Sequence, residues 1–478
     1  MRRDFNIVGS FGAERITNIN PERTINLFEF LVPQGKKKKM LLPTSGLNLK
    51  VDLDIPDGGF RSAFIFKGIF YFVVKNTVYQ MDSLFVTSTL GTIDTDEGYI
   101  GVDANEFEVM WADGDKGYIW NSNTTTFAPI TAPGFPTNPV DVTFLDGFFI
   151  VGQGESNQFN ISAPNDGMTW DALDFALINT HPGTIVGLRT LHRRLFIFSQ
   201  FFTEVWENAG QADFPLRRNN SLLMEVGTPA VGSINVNFDL MFFLSQARDG
   251  LGSIMMVRGT QPIPVSNQAL DYQLQTYNNP SDCRGILYKD NGLIFYRLNF
   301  TEDDVTWVYN ATQSSPQYPM WHEEQMLDGS RHVAQVHGYF NERNYFGSYS
   351  EGILYEVSDA FLDNAGEAIK RLRITAPFLE DTYNFKQVDR IQLDLQQGFV
   401  NPNEPDSHPD VFMFISRNDG ISYGNGLTAS MGKIGEFLKR TIWRKLGRAK
   451  NFIFRFEFYS KVKFVILGGE IDFTVLEQ

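Results

Sequence analysis

Seven times between Phe64 and Tyr355 the chain runs through one pattern: a short stretch of aromatic and apolar residues, a turn of Gly, Asn or Asp, and a second stretch ending on an aromatic or apolar residue. It reads FIFKGIFYFVVKNTVYQM from Phe64, FEVMWADGDKGYIWN from Phe107, FLDGFFIVGQGESNQFNIS from Phe144 and LHRRLFIFSQFFTEVWE from Leu191. It returns as FDLMFFLSQARDGLGSIMMV from Phe238, LYKDNGLIFYRLNFTEDDVTWVY from Leu287 and VHGYFNERNYFGSYSEGILYEV from Val336. Turn centres recur roughly every 40–50 residues, the period of β-propeller blades, where each unit is a small antiparallel sheet and the closed ring buries what one sheet cannot. The chain is therefore predicted to be all-β, with a propeller of about seven blades over residues 61–367.

From about Ala368 the repeat stops. KRLRITAPFLE, QVDRIQLDLQQGF, DVFMFISRNDGISYG and FIFRFEFYSKVKFVILGGEIDF are longer strands alternating apolar and polar residues with period two, around a Pro- and Asn-rich loop, NPNEPDSHPD. That alternation predicts a β-sandwich-like docking domain over residues 368–478. Residues 1–60 contain TINLFEFLVPQGKKKKMLLPT, read as a hairpin tipped by Pro33, Gln34, Gly35 and four lysines, whose strands are available to the C-terminal domain. Helix is predicted only for DAFLDNAGEAIKRL from Asp359, bridging the two domains, and QALDYQLQTYNN from Gln268.

Composition narrows the class. With 478 residues the chain is long for one core, and 43 phenylalanines suit thin sheet-on-sheet packing. A single cysteine, Cys283, excludes an intramolecular disulfide and a cysteine-built metal site, and points to synthesis in a reducing compartment. No stretch has the apolar length of a membrane span. The net charge of −15 repels nucleic acid and acidic membranes on average. Its distribution is uneven: between Lys433 and Lys463 ten basic residues face only Glu436 and Glu457. This suits an acidic body with one basic docking face; the plain alternative is a solvated basic stretch paired within its own fold.

Candidate chemistry is sparse. APNDGMTW from Ala163 and SRNDGISY from Ser416 resemble the Asp-box of sialidases. In each, Asn165 or Asn418 can bond its own following backbone, Gly167 or Gly420 takes the turn, and Trp170 or Tyr423 plugs the strands below, which makes the motif a hairpin staple. No arginine stands in the early strand where sialidases carry their first. The six histidines, His181, His192, His322, His332, His337 and His408, are scattered and signal no metal pair, and His192 with Arg193 and Arg194 reads as a polar turn. No nucleophile elbow, phosphate loop or zinc motif occurs. No catalytic residue, metal or cofactor is expected.

LHRRLFIFSQFFTEVWENAGQADFPLRRNNSLLMEVGTPA resembles the blade segment of the packaged-DNA stabilisation, or tail hub and nozzle, proteins of short-tailed bacteriophages. The ending SRNDGISYG followed by KRTIWRKLGRAKNFIFRFEFYSKVKFVILGGEIDF is similar to theirs at Asp419, Gly420, Tyr423, Gly424, Arg440, Trp443, Gly447 and Arg448. So is the opening, NPERTINLFEF then MLLPTSGL. The similarity is scattered over most of the chain; the lysine tip and the NPNEPDSHPD loop lie outside it.

The resemblance implies a virion component made in the bacterial host cytoplasm: a homo-hexameric ring below the portal and head-to-tail adaptor, continuing the double-stranded DNA channel, retaining the genome until ejection, and meeting tail fibre, spike or needle proteins. An acidic ring would let DNA slide, because tight binding needs dense Lys and Arg on the lumen. Candidate partner- or DNA-contacting residues are Lys36, Lys37, Lys38, Lys39, Lys439, Arg440, Arg444, Lys445 and Arg448. Trp443 is expected to pack inside the C-terminal domain, with Arg440 and Arg448 reaching outward. The lysine run is either a solvated tip, a collar facing DNA or a contact to a neighbouring subunit. The alternative function is a glycan-binding or glycan-cleaving propeller of sialidase-like type, favoured only by the Asp-box-like turns.

Overall fold

The structure, a computed structural model, describes all residues except 16–19, 35–36, 212, 249, 380–381, 383, 398–408, 434 and 477–478, and the side chain of residue 251. Among the described residues seven four-stranded antiparallel blades follow one another. Six occupy residues 60–92, 101–129, 139–177, 185–218, 235–264 and 284–324, and the seventh combines residues 334–358 with the early strand Gly46–Asp52. Second strands such as Ile69–Val74, Glu108–Ala112 and Arg194–Ser199 are buried almost throughout. Both faces of a blade are covered by its neighbours, so these strands carry unbroken apolar runs, such as Val109–Ala112 and Leu195–Phe198, instead of alternating. Tyr71 and Val73 pack on Val109 and Trp111 between blades one and two, and Phe196 and Phe198 on Met241 and Phe243 between four and five. Each such aromatic or aliphatic side chain contributes about 1.5–3 kcal/mol by leaving water.

The turns that punctuate the repeat have the backbone that two-residue hairpins require. Lys67–Gly68, Asp146–Gly147, His192–Arg193, Phe238–Asp239, Asn291–Gly292 and Asn341–Glu342 all have positive φ at both positions, matching the twist of the strands they join. His192 therefore sits at a blade turn, its ring 3.3 Å from Asp239.

Gly46–Asp52 pairs antiparallel with Ile353–Ser358 and closes the ring. Phe60 and Phe72 of blade one then meet Phe340 and Tyr345 of blade seven. A second N-terminal strand, Arg23–Ile25, lies parallel to the outer strand of blade six, Trp321–Glu324, and antiparallel to Arg371–Ile374. Through it blade six continues into Ile453–Phe458, Asp410–Ser416 and Leu427–Ser430, one nine-stranded sheet. The facing sheet runs Leu27–Leu31, Lys39–Pro43, Ile466–Val475, Lys386–Leu395, Thr441–Ala449, with Arg2–Phe5 also on Ile466–Val475. Val388, Ile391 and Leu393 meet Phe454, Phe456 and Phe458 in the sandwich core. Among the described residues no helix is long and apolar enough to cross a membrane.

Gln268–Leu274 is helical, capped by Asn267, whose side chain accepts from Leu270 N. The segment from Asp359, predicted to be a helix, is not one. Asp363–Asn364 and Glu367–Ala368 form a small hairpin around Ala365 and Gly366, both at positive φ, and Asn364 pairs parallel with Leu47. A weak helix former interrupted by Gly366 yields to strand pairing beside the ring-closing strand.

Where blade six meets blade seven, Arg297 donates to Glu324 (Nη2 to Oε2, 2.6 Å), both side chains being buried. His322 Nε2 lies 3.4 Å and His332 Nε2 3.8 Å from the same carboxylate. His332 Nδ1 accepts from Ala334 N, so in the neutral ring Nε2 carries the proton toward Glu324. Burial opposes charge on Glu324, but Arg297, then His322, outweigh it and hold the carboxyl at about 2. Burial, reinforced by Arg297, holds His332 at about 3, and burial holds His337 at about 4 against the opposing hydrogen bond with Asn344. All three groups take up protons more readily in the unfolded chain, where the ordinary values are 6.5 for His and 4.5 for Glu. Their contribution is complete above pH 6.5 and is lost as pH falls, first through the histidines and below 4.5 through Glu324. The melting temperature should decline from pH 6.5 to pH 4, with a shallower slope in His332→Gln; a flat profile in the parent contradicts this.

Candidate docking surface

The lysine run ends a true hairpin: Leu31 opposes Lys39, and Val32 N donates to Lys38 O at 2.8 Å. Its members part company. Lys36 lies outside the described residues, as do His408 and nearly all of the NPNEPDSHPD loop. Lys37 Nζ is 3.8 Å from Asp4, Lys38 is exposed, and Lys39 turns back to within 3.6 Å of buried Glu29. Glu29 also accepts from Ser10 and Tyr318, so Lys39 answers an interior charge.

The second basic element is the loop before the edge strand Thr441–Ala449. Lys433, Lys439 and Arg440 are exposed there, beside Glu436. Between them stand Phe437, 62 % exposed, and Leu438, 93 % exposed. Sequence reasoning missed this apolar pair; its signal was two large apolar residues in a short loop bounded by glycine and basic residues, GKIGEFLKR. The strand register brings the two basic elements to one end of one sheet. Lys37 lies against Gly468, Gly468 opposes Asp394, and Leu393 opposes Thr441. Three strand spacings, roughly 14 Å, separate the hairpin from the edge strand. Exposed Asp394 lies at the same end.

Along the edge strand Arg444, Lys445 and Arg448 are exposed while Thr441, Trp443, Leu446 and Ala449 point inward. Val388 opposes Gly447 and Arg390 opposes Arg444, so the strand bulges at Lys445, which takes φ +59. Arg417 Nη2 donates to Leu446 O at 2.6 Å across the bulge. Trp443 is 4 % exposed, its Nε1 donates to Leu427 O at 2.8 Å, and its ring lies 5.6 Å from that of Phe456. The charged edge also discourages strand pairing with other chains.

The Asp-box-like turns differ from each other. At the second, Asn418 Oδ1 accepts from Ser422 N, Gly420 takes φ +84 with its N–H on Ser416 Oγ, and Tyr423 lies under the guanidinium of Arg455. At the first, Asn165 takes the turn itself with φ +56 and donates its N–H to Gly147 O. Gly167 is not the turn residue. It lies in the strand Asp166–Leu177, where a Cβ would come within 2.5 Å of Ile119, and its N–H donates to Glu108. Trp170 is buried, with Nε1 on Gly167 O and its ring edge-on to Phe135.

A family profile described as bacteriophage P22 Gp10, beta-propeller, matches residues 20–361, and a second, bacteriophage P22 Gp10, beta-sandwich, matches residues 371–474. The chain belongs to the bacteriophage P22 Gp10 family. As a Gp10-family member it is a structural protein of the phage virion, of the tail and stabilisation type, and the glycan-active alternative is not favoured. No curated protein matches the chain. Among solved structures, the computationally designed Ika8 protein is 13 % identical, covering 65 % of this chain and 99 % of its own, with a TM-score of 0.39. Streptogramin B lyase is 11 % identical (66 % and 98 % covered, TM-score 0.38), and the Neurospora crassa Pan2 WD40 domain 10 % (66 % and 94 %, TM-score 0.42). None of the three is near enough to speak to function.

Truncating Trp443 removes a buried ring and its indole hydrogen bond. Trp443→Ala should cost roughly 3–5 kcal/mol in denaturant unfolding; a variant that melts like the parent contradicts the packing described.

Proposed function

We propose that this Gp10-family chain is a tail hub or nozzle subunit. Six copies surround an axial channel that continues the DNA path below the portal and adaptor, and the ring helps retain the packaged genome. Its basic sheet end seats on an acidic face of the adaptor, while its acidic body keeps duplex DNA from sticking. Arg444, Lys445 and Arg448 extend that face along the edge strand. The propeller serves as a rigid support for neighbouring tail proteins, and no chemistry is assigned to it.

The observation carrying this reading is the convergence of Lys37 and Lys38 with Lys439 and Arg440 at one sheet end, beside exposed Leu438 and Phe437. Long-range attraction would guide encounter and the apolar pair would hold the seated complex. Lys39 belongs to Glu29 and is not assigned to the contact.

Replacing Lys37, Lys38, Lys439 and Arg440 together with Gln should slow association with the adaptor by on the order of tenfold or more at low salt, with the difference shrinking as salt rises. Thermal stability should be unchanged. Association at the parent rate across the salt range would sink the docking assignment. Mass photometry of the adaptor-bound parent should show six copies; a stable one-to-one complex without a ring would refute the hexamer.

A further inference from the structure

The propeller channel holds a charge arrangement that the tail reading does not use. At its mouth, where blades six, seven and one meet at the closing seam, three arginines line a cavity of about 790 Å³. Arg284 opens the inner strand of blade six, Arg331 enters blade seven, and Arg61 is the second residue of the inner strand of blade one. Among the described residues none of the three has a carboxylate within ion-pair distance. Arg189, deeper in the channel, contrasts with them, because Asp141 neutralises it.

Their hydrogen bonding separates their roles. Arg61 spends its N–H groups on the carbonyls of Lys75, Thr95, Glu97 and Gly98 and on Thr95 Oγ1, so it offers charge and no spare donor. Arg331 is 2 % exposed, lies 3.7 Å over the Tyr349 ring and gives Nη1 to Gln335 Oε1 at 3.0 Å. Arg284 stacks 4.9 Å over Tyr99, and its Nη1, shut off from solvent, has no hydrogen-bond partner among the described residues. Gly232 permits this approach, since a Cβ there would meet Arg284 Cδ at 2.7 Å. Burial holds all three guanidiniums below the ordinary arginine range, Arg61 at about 10, and Arg284 adds to the effect at both others.

The carboxylates nearby are otherwise engaged. Asp282 accepts from the amides of Thr301 and Glu302, and Asp113 from Thr95, Asp115 and Lys116. Asp57, Asp96 and Glu97 are exposed at the rim, as is Lys75. Three like charges drawn together, Arg331 buried and Arg61 and Arg284 half-buried, repel one another and leave Arg284 Nη1 unpaired among the described residues, and both penalties are relieved by one small multivalent anion.

We infer that the channel mouth binds a small oxyanion, a phosphate or carboxylate, with donors from Arg284 and Arg331 and charge from Arg61. The anion bridges blades six, seven and one and staples the ring where its ends meet. The inference is independent of the tail assignment.

Calorimetric titration of the whole chain with inorganic phosphate, and separately with succinate, at constant ionic strength in chloride tests it. Saturable binding of at least one is expected, with a melting temperature that rises with the logarithm of its concentration, well below the concentrations at which phosphate stabilises proteins generally. Binding of phosphate alone identifies the phosphate group as the ligand chemistry, and binding of succinate alone the carboxylate. Arg284→Gln or Arg331→Gln should weaken binding by on the order of 10- to 100-fold. No saturable binding of either anion to the parent overturns the inference whatever the variants do, as does binding unchanged in both folded variants.

Discussion

Three residues, Arg23–Ile25, carry the architecture. They fill the gap between the outer strand of blade six and the first strand of the sandwich, and without them both sheets would present a bare edge there. Their side chains secure the position. Arg23 grips Glu323 through two hydrogen bonds of 2.8 and 2.5 Å. Asn26, at φ +52, donates to Gln325 O on the propeller side and to Lys370 O on the sandwich side. Arg373, fully buried in the sandwich sheet, reaches back to Ile7 O, Thr24 Oγ1 and Glu22. Phe11 stacks edge-on to Trp307 in blade six.

The N-terminal segment thus does two jobs within about fifty residues: Arg23–Ile25 welds propeller to sandwich, and Gly46–Asp52, after the lysine-tipped hairpin, closes the ring. A partner seated on the basic end of the facing sheet would feel the propeller through the packing of that sheet on the nine-stranded one, whose backbone hydrogen bonds run on into blade six, and not through a flexible linker. That rigidity is what a structural tail component needs, and it explains why the conspicuous polar groups, such as Arg297 with Glu324 and Arg189 with Asp141, are spent on joining elements.

What could be read along the chain was whatever local periodicity or turn chemistry encodes. Aromatic runs around Lys67–Gly68, Asp146–Gly147 or Asn291–Gly292 announce blades because strand and turn are contiguous, and QVDRIQLDL announces a half-buried strand because its inward residues alternate. Arg23–Ile25 is too short to show a period, and its partners lie some 300 residues away. Histidines that look scattered converge because His322 ends one blade and His332 leads into the next, on either side of Glu324. The channel arginines come from three blades and share no motif. The basic C-terminal stretch was legible as charge, but only the register shows that Lys37 shares its end of the sheet. The Asp359 segment misled because its composition is compatible with a helix while its surroundings offer a strand.

Native-state hydrogen exchange across Arg23–Ile25 tests the welding of the two halves most directly. If they form one body, the amides of this strand exchange as slowly as those of Trp321–Glu324 and Arg371–Ile374, and the three strands open together in a single cooperative event. Fast exchange in Arg23–Ile25 while both flanking strands stay protected would contradict the account and leave propeller and sandwich as separately moving parts.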